Sequence, residues 1–220
     1  MYILKINKET EKEGKRCFKK IITSIIVIAI GISFCFPSNV NAKVFTYYGD
    51  YTTWGFLCHS RRVKYTYDSS KGRKCSTSKS DWKTVDSFTC SKTTKKGQHY
   101  SLSHQESTTD SVNVSATIPL KFLKQIVPDK IASIIGDSIS AGKTKSKTKS
   151  NSCSGDGYLY KKNQVAKLQV RYVTETEVRT VVCQKQYDDI TGKWHNSGSP
   201  YNKIVTIKNK YPDQRIIETK

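Results

Sequence analysis

Along residues 107–118, STTDSVNVSATI, apolar and polar side chains alternate. Val112, Val114, Ala116 and Ile118 fall on one face, and Asn113, Ser115 and Thr117 on the other. A period of two predicts an amphipathic strand, which Pro119 ends. From Leu120 the spacing changes. Leu120, Leu123, Ile126 and Val127 recur at helical intervals, Pro128 interrupts, and Ile131, Ile134 and Ile135 resume. Two short helices are predicted there, with Asp129 at the N-cap or first turn of the second and Gly136 closing it. Alternation then returns: Thr144, Ser146, Thr148 and Ser150 oppose Lys143, Lys145, Lys147 and Lys149.

Upstream, Val63, Tyr65 and Tyr67 alternate with Lys64 and Thr66, Asp68–Gly72 reads as a turn, and 81–90 reads as another strand. Downstream, 158–189 divides into two or three strands with core candidates Val165, Leu168, Val170, Tyr172, Val178, Val181 and Cys183. Residues 201–209 make a final strand, and the tail from Tyr211 reads as loose. The expected fold is mainly β, an antiparallel sheet or sandwich with a short helical element around 119–136. Its parts are an aromatic, basic stretch over 43–104 and a β-rich stretch over 105–220 that carries the helical insertion.

The first 42 residues change the picture. A basic start leads into Ile21–Phe36, which carries no charge, and Val40-Asn41-Ala42 offers a signal-peptidase site. Together these predict a secretory leader cleaved after Ala42. The exported chain, 43–220, would keep 31 Lys+Arg against 15 Asp+Glu, a net +16. It would also keep Cys58, Cys75, Cys90, Cys153 and Cys183. In an exported protein these are disulfide candidates, Cys153 with Cys183 and two of the first three together, one thiol being left over. No Cys-x-x-Cys, His-Glu-x-x-His or calcium-loop pattern occurs, so neither cofactor nor metal is expected.

Gly142-Lys143-Thr144 imitates a phosphate-binding loop, but Gly136 and Gly142 enclose five residues instead of four, and no apolar strand leads in. A nucleotide site is excluded. The lysines of 143–149 make a line of charge on one face of a strand. With Arg61, Arg62, Lys95, Lys96, Lys161 and Lys162 they form the candidate anion-binding set. A strongly basic exported protein concentrates polyanions at its surface. The partners expected are teichoic acid, anionic phospholipid or acidic glycan, with self-association as a further expectation. Tyr48, Tyr51, Trp82, Tyr158, Tyr160 and Trp194 lie beside the charges and offer rings for sugars or a lipid interface.

The order amphipathic strand, apolar stretch, Ser/Thr-rich strand over 107–152 resembles in outline the insertion hairpin of aerolysin-like β-pore-formers. The resemblance implies membrane permeabilisation, with Val112, Val114, Ile118, Leu120, Phe122, Leu123, Ile134 and Ile135 as membrane contacts. It departs at 143–150, which has no apolar face, and a lysine facing lipid at the midplane costs about 2–4 kcal/mol. His99, His104 and Glu106 suggest a third, ribonuclease-like reading, although no motif fixes a catalytic residue. The leading expectation is a secreted, non-enzymatic protein that binds an anionic surface; permeabilisation is the alternative.

Overall fold

One strand organises the sheet. Val165–Asp188 (β8) runs for 24 residues and pairs antiparallel along one edge with β3 (His59–Asp68), β4 (Arg73–Lys79) and β5 (Lys83–Thr89), taken from its end to its start. Its other edge is occupied by β9 (Trp194–Thr219), 26 residues long, from Val165↔Thr219 to Asp188↔Trp194. The computed structural model describes residues 42–54, 59–189 and 191–219. The leader sequence up to Asn41 and Cys58 lie outside the described residues.

The strands β1 (Val44–Tyr48) and β2 (Thr52–Trp54) pair with β3. A second long pair, β6 (Gln98–Val114) and β7 (Thr144–Leu159), stays in register from Gln98↔Leu159 to Asn113↔Thr144 and joins β9 only at Ser111–Val114. Between β6 and β7 lie α1 (Leu120–Ile126) and α2 (Asp129–Ile135). Both helices begin after a proline, whose fixed φ suits that position. Gly136 ends the second at φ 62, a conformation glycine adopts without strain. The fold is therefore mainly β and antiparallel with two short helices, as expected.

Two cores form along the sheet. In the first, Phe122, Leu123, Ile126, Ile131 and Ile135 of the helices pack on Tyr65, Tyr67, Val112, Val114, Val181 and Val205. In the second, Tyr100, Leu102, Cys153 and Leu159 of the β6–β7 hairpin meet Ala166, Leu168 and Val170 of β8. No register break occurs in β8 from Val165 to Cys183, so residues of opposite parity face opposite sides. Residues 166, 168 and 170 therefore bury one face of β8 at its start, while 181 and 183 bury the other face near its end. The hairpin lies close: a Cβ on Gly155 would fall 2.0 Å from Ile216 Cδ1, and one on Gly157 2.6 Å from the Tyr100 hydroxyl.

Two expectations are corrected. The stretch 165–188 is one strand, because its polar middle is satisfied inside the sheet. Glu177 accepts from Arg73 and Arg179, and Glu175 from Tyr211 Oη at 3.0 Å. The tail is not loose either: β9 continues to Thr219. Pro212 fits because its partner Tyr172 turns its own N–H and C=O toward Ser80, so the Pro212 nitrogen points away from β8 and no ladder bond is lost.

Disulfide stapling is the third correction. Cys75, Cys90, Cys153 and Cys183 are all free thiols, Cys75 exposed and the others buried. Cys153 and Cys183 cannot pair because they belong to different cores. Burial raises the pKa of both thiols; they act as small apolar side chains.

Candidate functional site

Two loops meet at the start of β8. Residues 90–97, CSKTTKKG, lead from β5 to β6; residues 160–164, YKKNQ, lead from β7 to β8. Their backbones are knitted together. Thr94 N donates to Tyr160 O at 3.0 Å, Asn163 N to Cys90 O at 2.9 Å and Cys90 N to Gln164 O at 2.8 Å. Lys162 N donates to Thr93 Oγ1 at 3.1 Å, and the Gln164 side chain accepts from Tyr160 N and Lys161 N at 2.9 and 2.7 Å. Asn163 and Gly97 take positive φ, 68° and 75°, residues that tolerate it. Each loop is thus braced by a glutamine, Gln164 in one and Gln98, which accepts from Ser91, in the other, and the bonds between their backbones and to Thr93 join them into one platform.

That platform displays cations. Lys95, Lys96, Lys161 and Lys162 are exposed, as is Lys92. Tyr158 and Tyr160, 52 % and 51 % exposed, stand beside them. Two lysine pairs that lie 65 residues apart in the chain are thereby brought to one end. The contribution of Lys92 to this set escaped the sequence reading, because only the loop contacts place it there.

The lysine stripe of 143–149 is arranged differently. Through the pairs Lys145↔Val112, Lys147↔Asp110 and Lys149↔Thr108 it shares the covered face of the hairpin, while the Ser/Thr stripe faces solvent. Lys145 Nζ donates to Ile135 O at 2.6 Å, at the C-terminus of α2, where a cation meets the helix's unpaired carbonyls. Lys149 lies 3.1 Å from Asp110, which also meets Lys130 at 2.8 Å. Burial alone would raise the Asp110 pKa, but hydrogen bonds from Lys130 and Lys149 outweigh it and hold the carboxyl below its ordinary value. Lys143 and Lys147 remain exposed. The stripe is thus half structural.

Arg61 and Arg62 sit at the other end of β8, opposite Tyr187 and Gln186. Trp82 is not an open ring: Arg171 and Arg215 lie 4.3 and 4.2 Å from its centroid. The residues expected to contact a membrane form the first core in this structure. Val112, Val114, Ile118, Phe122, Leu123 and Ile135 are buried, and Leu120 and Ile134 pack against them half-buried.

The histidines are separated. His104 Nε2 lies 3.0 Å from Glu106 Oε2 on the inner face of β6. His99, of opposite parity, lies on the outer face, 5.1 Å from the Tyr158 ring. Hydrogen bonds from Tyr172 and His104 lower the Glu106 pKa, so the partner of Glu106 on this face is His104, without His99. Among the described residues no three His, Cys, Asp or Glu side chains cluster as metal ligands do.

No protein-family model matches the chain, and no curated protein matches it. Solved structures with similar architecture include the parasporin-2 toxin of Bacillus thuringiensis, which recognises cancer cells. It is 13 % identical, with 74 % of each chain covered and a TM-score of 0.41. The lamprey immune protein is 9 % identical, with 70 % of this chain and 51 % of that one covered at a TM-score of 0.37. A non-toxic crystal protein from Bacillus thuringiensis is 6 % identical over 76 % of this chain and 89 % of that one, TM-score 0.25. Toxic and non-toxic proteins stand side by side in this group. Likeness at this level places the chain no more finely than its own strands do.

Proposed function

We propose that the protein is exported and binds an anionic cell-surface polymer or membrane, teichoic acid, anionic phospholipid or acidic glycan, through the platform of 90–97 and 160–164. The observation that supports this reading is the convergence of Lys92, Lys95, Lys96, Lys161 and Lys162 on two loops held rigid by backbone and glutamine hydrogen bonds. Rigid placement spares the ordering cost that a flexible basic tail meets on binding. Tyr158 and Tyr160 add rings of the kind found at lipid interfaces. Binding is the whole activity on this reading; no catalysis is invoked. The test is sedimentation with anionic vesicles of the wild type and of a variant with Lys95, Lys96, Lys161 and Lys162 changed to Gln. At about 1 kcal/mol per lysine near an anionic surface, removing four lowers the affinity on the order of 1,000-fold. Unchanged affinity would remove the platform from the account.

Membrane permeabilisation through 107–152 is a second reading, and one observation favours it. The β6–β7 register is unbroken, so the two helices are the connection of a single long hairpin, and their apolar side chains are held together in one core. On this reading a lipid-facing surface comes from 118–135, not from 144–152, whose two faces carry Lys and Ser/Thr. Release of dye from anionic vesicles, with new protease cleavage inside 119–136, is the outcome it requires. Binding without release dismisses it.

A further inference from the structure

At the far end of β8, about 70 Å of strand from the lysine platform, one guanidinium is held in an unusual way. Arg62 lies between two rings, 4.1 Å from the centroid of Tyr48 and 3.8 Å from that of Trp194. Its Nε donates to Gln186 Oε1 at 3.1 Å, and Gln186 Nε2 donates onward to Asn196 Oδ1 at 3.0 Å. The rings cover the faces of the guanidinium and Gln186 fixes its rotation. Among the described residues no partner meets its two terminal nitrogens.

Arginine fixed in this way has little conformational freedom left to lose on binding. Its remaining edge presents parallel N–H donors that match a planar oxyanion in a fork. No carboxylate is paired with it: Asp188 accepts from Ser60 N, and Asp189 is engaged by Thr191 and His195. Tyr48 is 47 % exposed, and the side-chain amides of Gln186 and Asn196 lie beside the arginine and can meet hydroxyl groups. An apolar ring, an amide pair and a fork together suit a saccharide ring that carries an oxyanion.

We propose that Arg62, framed by Tyr48, Trp194 and Gln186, is a binding site for an acidic saccharide, the guanidinium receiving its carboxylate or sulfate. The site is separate from the lysine platform and recognises by geometry, whereas the platform attracts by charge. Its occupant is one sugar unit, not a charged surface.

Calorimetric titration tests it, with three tetrasaccharides at 0.15 M salt: one containing glucuronate, the same one with its carboxyl reduced to alcohol, and a sulfated one. The glucuronate or the sulfated form binds, and the carboxyl-reduced form binds at least tenfold more weakly. The tighter of the two acidic forms assigns the oxyanion. Arg62→Lys keeps the charge but loses the planar stacking and the fork, and weakens binding at least tenfold; Arg62→Gln weakens it further. Circular dichroism melting of both variants keeps loss of binding apart from loss of fold. The same titrations are repeated with Lys95, Lys96, Lys161 and Lys162 changed to Gln. A preference for the acidic over the carboxyl-reduced form that persists there, and is lost when Arg62→Lys is added, belongs to Arg62. Its loss with the lysines alone assigns it to the platform and overturns the proposal. Equal binding of the reduced sugar, or full binding by folded Arg62→Lys, overturns the proposal.

Discussion

The carboxylate of Asp110 joins β6 to three other segments: α2 through Lys130, β7 through Lys149, and β9 through the backbone N–H of Lys210. Its side chain is 3 % exposed, so removing its charge leaves Lys149 without a counter-ion in a partly buried place. Asp110→Asn is expected to cost about 2 kcal/mol, less than for a fully buried pair because both lysines reach water. Chemical denaturation measures it. The folded pKa lies below the ordinary 3.8, so the stability from this group is complete above that value. It is lost as the pH falls through the depressed folded value. Acid unfolding of Asp110→Asn should therefore be shallower than that of the wild type below about pH 4. Thiol chemistry is a second check at this scale. With Cys58 replaced by Ser, a thiol reagent applied to the native protein labels Cys75 and spares Cys90, Cys153 and Cys183. The melting temperature is the same with and without reductant; a drop of several degrees in reductant would reveal a disulfide.

Among the elements, the helical connector supplies much of the first core. Phe122 is fully buried, with ring centroids of Tyr47 and Tyr65 at 5.9 and 6.0 Å. Phe122→Ala should cost about 3–5 kcal/mol, and protease should then reach 119–136 before the rest of the chain unfolds. If the loss is instead spread evenly over the protein, the connector is not a separable unit. The helices, the alternation that buries Val112 and Val114 and the turn at Asp68–Gly72 were legible, because periodicity and proline act locally; the strand itself runs from Gln98 to Val114 and stops short of Ile118. The length of β8 was not: Thr174–Glu177 reads as a break until Arg73, Arg179 and Tyr211 arrive from distant segments. The tail from Tyr211 likewise reads as loose, since only the hydrogen-bond direction of Tyr172 shows that Pro212 can stand in the ladder. The lysine stripe of 143–149 was recognised as one face of a strand, but which face is covered depends on the pairing with β6. Lysines 145 and 149 were therefore read as free when they are held. The lysine platform was visible only as two separate pairs, since nothing local to either loop specifies the hydrogen bonds between them.

For the whole molecule, charge and fold act together. The chain carries a net +20, and part of its cationic surface is neutralised internally, by Asp110, Glu177 and Asp213 among others. Exposed cations remain over much of the surface, Lys143 and Lys147 among them, and five of them share the loop platform. Attraction to a charged surface through exposed lysines weakens as salt rises, because the Debye length shrinks from about 10 Å at 0.1 M to 3 Å at 1 M. Co-sedimentation of chain 43–220 with anionic and with neutral vesicles across that salt range tests the central claim most directly. Strong binding to the anionic vesicles at 0.1 M is expected, with loss of that binding by 1 M and little binding to the neutral ones throughout. Equal binding to both kinds of vesicle, independent of salt, would contradict it.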